Sequence, residues 1–554
     1  MEKTTNQITI QTNNTMKKIT TLMVMLVCCI CSALAQTVAS TPTAPENIQD
    51  GYYMLLVKSA DGKTDDNGNF AHANSYDAKG SANDFVGKTL DDPSNYNYVY
   101  YITNNNGKLR IKSAFTDNWW ETASGYGDDY RPLQFSIGKG ATDFTYQKEG
   151  PWTYLNTTTT RKYFNFGFKS EQKDVYVTLN DKNRIGYWDD TNPTGNTAQF
   201  QFYAVDIKLP MTVSTVAAPV WYYLVGNVDN PTMISHSSSE NTAMRAEGEE
   251  AASINDIAKD LWLVEGDFDN GFKFYNYNAK AYLLRYSTST ISQQCLTLRG
   301  SAIWGSGIDK WMILPLADNK FTVFEFGKTD FSKVDVWYTA DPWVKLGAFS
   351  NAAKFSVEAP TFTYTMYDGG DNHNYNTFSA PFDVKLAKSE TDVKMYKGVA
   401  DYEAKKFNME EIAAAPAEAG IFLMGNNVNK TVTLEVTSGV AALEDNELKG
   451  NTTDVVGLED KLILGPSTTT NEIGFFAAAD GVTTLYANHA YLMRKTLSTV
   501  EGLSLSFGGK PTGIGQVSTS DVKNAPIYDL TGRRVNHTVK GQLYIQGGRK
   551  FIAR

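Results

Sequence analysis

A strand anchored by an aromatic residue, a turn and a second strand recur in this chain, and that recurrence constrains the fold more than any other feature. Asp260-Leu261-Trp262-Leu263-Val264 is followed by Gly271-Phe272-Lys273-Phe274-Tyr275. About fifty residues later Asp309-Lys310-Trp311-Met312-Ile313 is followed by Lys320-Phe321-Thr322-Val323-Phe324, a period at which one supersecondary unit is used several times. A weaker copy stands earlier, with Tyr98-Val99-Tyr100-Tyr101-Ile102 preceding Gly107-Lys108-Leu109-Arg110-Ile111. Apolar and polar side chains alternate in Lys108-Leu109-Arg110-Ile111-Lys112 and in Lys430-Thr431-Val432-Thr433-Leu434-Glu435-Val436, as half-buried strands require. Asn106-Gly107, Asp61-Gly62 and Asn270-Gly271 supply turn signals between such runs. Composition agrees, since 31 Tyr, 28 Phe, 10 Trp and 43 Gly are strand and turn material. Helical signal is confined to short pieces, chiefly 249–259 and 409–415. The chain reads as all-β.

Apolar periodicity breaks at proline in 41–45, 217–219, 358–360 and 508–513. These seams predict modules over 46–208, 219–358 and 361–508, and a terminal segment over 514–554. The first two are of similar length and end alike, in Asn196-Thr197-Ala198-Gln199-Phe200-Gln201-Phe202 and Asn351-Ala352-Ala353-Lys354-Phe355-Ser356-Val357, which points to a duplicated module. The recurring aromatic-anchored unit resembles the β-trefoil modules of ricin-B-type lectins, and the resemblance implies two tandem β-trefoil-like modules and sugar binding. That family's Gln-x-Trp signature is only approached, in Asp309-Lys310-Trp311 and Ala198-Gln199-Phe200, so none of its sugar-binding residues is carried over. In the third segment, Asn376-Thr377-Phe378-Ser379-Ala380-Pro381-Phe382 precedes Pro416-Ala417-Glu418-Ala419-Gly420-Ile421-Phe422-Leu423 and Tyr486-Ala487-Asn488-His489-Ala490-Tyr491-Leu492. That order is similar to a β-sandwich-like module near the carboxyl end of secreted Bacteroidetes proteins. The terminus, Pro526-Ile527-Tyr528-Asp529-Leu530-Thr531-Gly532-Arg533-Arg534-Val535 and then Lys540-Gly541-Gln542-Leu543-Tyr544-Ile545, resembles the sorting tail of type IX secretion substrates. This resemblance implies a short C-terminal β-hairpin tail, the type IX machinery as a partner and delivery to the cell surface.

The amino terminus points the same way. Met16-Lys17-Lys18, the apolar run 22–30 and Ala33-Leu34-Ala35 make a secretory signal over 1–35, with translation starting at Met16 as an alternative and cleavage before Gln36. The apolar run is shorter than the roughly 20 residues a permanent span needs, so no transmembrane segment is expected in the mature chain. Cleavage removes Cys28, Cys29 and Cys31, leaving Cys295 with no partner for an internal disulfide. Stability must then come from buried apolar area, for which 42% hydrophobic content suffices. A net charge of −10 without a Lys and Arg stripe argues against nucleic acid as a partner.

No motif implies an enzyme. There is no Gly-x-Ser-x-Gly elbow, His-Glu-x-x-His pair or phosphate loop. His72, His236, His373, His489 and His537 have no ligand spacing, and Asp61-Gly62-Lys63-Thr64-Asp65-Asp66-Asn67-Gly68 reads as a plain turn because Lys63 holds a position a calcium loop gives to an oxygen ligand. No metal and no cofactor are expected. What remains is aromatic-plus-acid clustering: Trp119 and Trp120 running into Tyr126 and Asp128, then Tyr187, Trp188 and Asp189, then Trp343. Aromatic rings stack on the C–H faces of sugars while carboxylates take their hydroxyls. These residues are the candidate ligand site of a non-catalytic, extracellular or outer-membrane-surface protein recognising host or dietary glycans. The alternatives are a surface adhesin or structural protein making protein–protein contacts, and an accessory part of a glycoside hydrolase or a divergent one using paired acids such as Asp128-Asp129 and Asp189-Asp190.

Overall fold

In the computed structural model the described residues run from 38 to 552. Outside them lie 1–37, 59–67, 74–76, 82–89, 91–92, 117, 123–130, 133, 138–141, 153–160, 171–172, 180–184, 189–198, 227–231, 236–244, 248–252 and 286–295. Also outside are 300–308, 328–334, 341–342, 370–371, 427–429, 468–469, 471, 496–501, 508–526, 529–533, 536, 539, 541–542, 547–548 and 553–554. The signal segment, Cys295 and the Asp61 to Asn67 turn therefore lie outside the described residues. The regular structure of the described residues is almost entirely strand, and the chain falls into two compact units, Met1–Phe362 with Glu435–Gly439, and Thr363–Leu434 with Val440–Arg554.

The first unit is built twice on one plan. In its first half, six strands pair in a closed ring: Gly51–Lys58, Val99–Asn105, Lys108–Ser113, Phe144–Trp152, Arg161–Ser170 and Gln199–Val205, which returns to the first. Three hairpins join the ring: Asn69–His72 with Asp77–Ser81, Asn118–Glu121 with Gln134–Ile137, and Lys173–Leu179 with Ile185–Trp188. The second half repeats this with Tyr222–Gly226, Leu261–Asp267, Gly271–Asn276, Trp311–Pro315, Phe321–Glu325 and Phe355–Glu358 in the ring. Its hairpins are Thr232–Ser235 with Arg245–Glu247, Ala281–Arg285 with Leu296–Arg299, and Asp335–Ala340 with Trp343–Ala348. The repeats legible in the sequence are the consecutive ring strands. Their anchors do the same task in successive repeats: the Trp262 and Trp311 indoles donate to the carbonyls of Ile234 (2.7 Å) and Leu283 (3.3 Å), 28 residues back in both cases.

A ring strand in an isolated barrel would bury alternate residues. In Gly51–Lys58 the last six are buried in succession, and both Trp311–Pro315 and Phe321–Glu325 are buried throughout. The reason is that both faces are covered. Tyr53, Leu55 and Val57 fill the first ring with Tyr100, Ile102, Phe144 and Phe202. Met54 and Leu56 join a second cluster that includes Phe115 and Tyr96 and runs on into Trp262, Phe272, Trp311, Trp337 and Phe355 of the second half. At this seam Phe268 lies 5.5 Å from Phe115 and 5.9 Å from Tyr52, ring to ring, and the Tyr96 hydroxyl donates to the Pro315 carbonyl. Each large apolar side chain buried there contributes roughly 1.5–3 kcal/mol, so the seam is a core and not a loose contact.

Among the described residues one short α-helix, Ile254–Asp260, overlaps the 249–259 signal, with Ser253 capping Asp256 N at 3.3 Å. The other signal is corrected: Met409 lies in the strand Lys406–Ile412, followed by the two-residue strand Ala414–Ala415. Helix propensity in so short a run is a few tenths of a kcal/mol per residue and yields to pairing. That strand pairs antiparallel with Lys394–Asp401 and parallel with Gly502–Phe507, burying alternate Phe407 and Met409. In the second unit these strands belong to a ten-stranded sheet over a core of Tyr375, Phe407, Phe422, Phe475 and Leu503. At its carboxyl end Ile527–Tyr528 pairs with Arg534–Val535 and Leu543–Gln546, and the latter with Arg549–Ile552. Among the described residues no helix is long and apolar enough to cross a membrane.

Candidate functional site

Register places four side chains, two tyrosines, a lysine and a tryptophan, in one row across the first half of unit one. Tyr52 stands opposite Tyr101, Tyr101 opposite Lys112, and Lys112 opposite Trp119. Directly opposed residues share a sheet face, so the four side chains lie side by side. The two-residue turn Asn106-Gly107, with positive φ at both positions (54° and 83°), fixes the Tyr101–Lys112 register. The Tyr52 and Tyr101 rings meet edge to face at 5.1 Å, and the Lys112 ammonium lies 5.2 Å from the Tyr101 ring and 5.3 Å from the Trp119 ring. An ammonium between two ring faces is attracted to their π clouds by roughly 0.5–2 kcal/mol.

The row's polar edge comes from the second half. Lys112 Nζ is 3.3 Å from Asp269 Oδ1, in a pair where the lysine side chain is only 11% exposed and the aspartate side chain 69%. Asp269 is presented by the hairpin turn between Leu261–Asp267 and Gly271–Asn276. Asp267 holds that turn, accepting from Asp269 N (2.9 Å), Asn270 N (2.7 Å) and Asn270 Nδ2 (3.0 Å). Glycine is required at position 266, at the entry to the turn, where φ is +111° and a Cβ would lie 2.2 Å from the Gly271 carbonyl oxygen. Phe268 pins the turn against Tyr52 and Phe115. Burial and then the Asp269 charge hold the Tyr52 and Tyr101 phenols above their ordinary value, so both stay protonated and able to donate.

Beside Tyr52 a groove of about 400 Å³ continues the row, lined by Asp50, Tyr53, Ala39 and Asp206 among others. Asp50 Oδ1 accepts from Asn104 N at 2.7 Å, which fixes one carboxylate at its mouth. A polar cluster in the second half is closed on itself. There Lys273 Nζ meets Asp309 Oδ2 at 2.7 Å, and the Tyr282 hydroxyl donates to Glu265 Oε2 at 2.6 Å. Burial, then that bond, pushes the Tyr282 phenol up to about 12. Among the described residues no three His, Cys, Asp or Glu side chains gather as a metal site would require.

No family model matches the chain, and no curated protein matches it. Among solved structures, a mosquitocidal holotoxin is similar over 82% of this chain and 51% of its own, at 9% identity and a TM-score of 0.31. The chain thus spans about half of the holotoxin's length. The hemolytic lectin CEL-III is similar over 70% of this chain and 92% of its own, at 8% identity and a TM-score of 0.19.

The sequence-predicted site residues divide by strand alternation. Trp119 and Trp120 are neighbours on Asn118–Glu121 and point to opposite faces. Trp119 is half-buried and joins the row. Trp120 is 1% exposed, edge-on to Tyr100 (5.4 Å) and Phe144 (6.2 Å) inside the first ring. Tyr187 is buried in the same core. These two are corrected to core residues, because neither ring has a face left for a sugar. Trp188 lies on Ile185–Trp188 opposite Tyr176, and Trp343 opens Trp343–Ala348 opposite Ala340. Tyr126, Asp128 and Asp189 lie outside the described residues. Sequence reasoning missed Tyr52, Tyr101, Lys112 and Asp269. Tyr101 and Lys112 stand within runs identified as strands, but only the register brings them together, and only the tertiary fold adds Asp269.

Proposed function

We propose that this chain is an exported, non-catalytic glycan-binding protein, and that its sugar site is the row Tyr52, Tyr101, Lys112 and Trp119 with Asp269 at the edge. The observation that carries the proposal is the row itself: half-buried rings side by side, flanked by a fixed ammonium and an exposed carboxylate. The Trp119 ring receives the C–H face of a pyranose, while Lys112, Asp269 and the two phenols exchange hydrogen bonds with its hydroxyls. The groove beside Tyr52 leaves room for a second saccharide unit. A closed six-strand ring with three hairpins is the strand plan of a β-trefoil, and we read each half of the first unit as one, a rigid scaffold for surface-borne sites. The amino-terminal signal and the sorting-tail-like terminus support export to the cell surface through type IX machinery, with host or dietary glycans as partners.

Adhesion through protein contacts is the second reading. It is favoured by Val456 (71% exposed), Tyr486 (70%) and Val482 (44%) in the second unit, where Val456 stands opposite Thr484 in a two-stranded ribbon. A glycan array probed with the mature full-length chain separates the two. Selective binding that a Trp119→Ala chain loses supports the sugar site. A blank array on folded protein moves the function to protein adhesion.

A further inference from the structure

Resting on that sugar site, the geometry points to a sugar bearing a carboxylate, a uronic or sialic acid, as the ligand class, with Asp269 occupying the carboxylate's place in the free protein. Lys112 is the one cation in the row. Its ammonium is walled by Tyr101 and Trp119 and meets one carboxylate, at 3.3 Å. That carboxylate belongs to the tip of a turn 157 residues away in sequence and is mostly exposed. In this pair the lysine is nearly buried and the aspartate mostly exposed, so the ammonium stays in place while its carboxylate partner can be exchanged. A carboxylate already seated on Lys112 shows what the ammonium accepts, and a ligand carboxylate that displaces it makes the same charge-assisted bond. Stacking of the sugar ring on Trp119 is the gain that Asp269 cannot match.

The neighbouring acids do not compete for the ammonium. Asp267 spends both oxygens on the turn, Oδ1 accepting from Asp269 N, Asn270 N and Asn270 Nδ2 and Oδ2 from Asn270 Nδ2. Asp50 accepts from Asn104 N. Asp269 is therefore a tethered competitor, and removing its charge while keeping its shape strengthens ligand binding. Lys112 is the residue that sets specificity.

The test is calorimetric titration of the full-length mature chain with glucuronic acid, galacturonic acid oligomers, sialyllactose, lactose and glucose. Asp269→Asn and Lys112→Met are run in parallel. The first substitution changes a side chain at an exposed tip, and in the second a methionine fills the lysine stem's place between the rings, so both chains are expected to fold. The expected result is that at least one acidic sugar binds at least tenfold more tightly than the neutral ones. Lys112→Met then abolishes the preference, Asp269→Asn raises acidic-sugar affinity several-fold, and added salt weakens it. Whether the uronic or the sialic sugars respond identifies the source of the carboxylate. Equal or tighter binding of lactose and glucose overturns the inference while leaving the glycan site standing. No binding of any sugar overturns both.

Discussion

Replacing Phe115 by alanine tests whether the two halves of the first unit share one core. Phe115 is 1% exposed, stacks on Tyr52 at 5.7 Å and meets Tyr96 (4.9 Å) and Phe268 (5.5 Å) edge to face. Truncating a fully buried phenylalanine costs about 3–5 kcal/mol. The shift in melting temperature depends on how much chain unfolds with it. At about 2.1 cal/mol/K of unfolding entropy per residue, a cooperative unit on the order of 320 residues loses about 4–7 °C. A first half of on the order of 170 residues melting alone would lose about 8–14 °C. Differential scanning calorimetry of the full-length chain reads the difference. A cluster running from Met54 through Phe115 to Trp311 and Trp337 predicts one transition for the first unit, displaced as a whole by the smaller amount. Two transitions, of which one moves by the larger amount and the other stays, would refute the shared core.

Two further outcomes follow from buried polar groups. Glu325 is wholly buried and its carboxylate meets the Arg285 guanidinium, so Arg285→Met costs about 3–5 kcal/mol in urea unfolding, and Arg285→Met with Glu325→Leu recovers most of it. In the second unit, burial holds His489 below its ordinary value of 6.5, with the Tyr364 hydroxyl 3.1 Å from Nδ1. The unfolded chain thus binds more protons than the folded one, so this stability is full above pH 6.5 and is lost as pH falls below it. The urea midpoint of the second unit falls between pH 7.5 and 5, and His489→Gln flattens that fall; an unchanged slope would remove His489 from the explanation.

The fold was legible where physics is local. Alternation in 108–112 and 430–436, the Asn106-Gly107 turn and the recurring tryptophan anchors each specify structure within a few residues, and each appears as strand or turn. The short run from Met409 was misleading because pairing with Gly502–Phe507, distant in sequence, decides it. The shared core left a local trace, the unbroken apolar run Tyr52 to Val57, whose meaning is a strand covered on both faces. The site was half legible for a related reason. Strand alternation requires that Trp119 and Trp120 face opposite ways, but not which of them faces the core. That choice depends on Tyr100 and Phe144 inside the ring, and the row's completion depends on Asp269 from a repeat 157 residues further on.

The most direct test of the glycan site sets those two tryptophans against each other. The tightest glycan from the array is titrated calorimetrically into Trp119→Ala and Trp120→Phe full-length chains, with circular dichroism confirming that both fold. Loss of a stacking ring is worth about 1.4 kcal/mol or more, a tenfold weakening, in Trp119→Ala. Trp120→Phe keeps wild-type affinity and loses only stability. Equal affinity in Trp119→Ala and wild type would contradict the placement of the sugar site on this row.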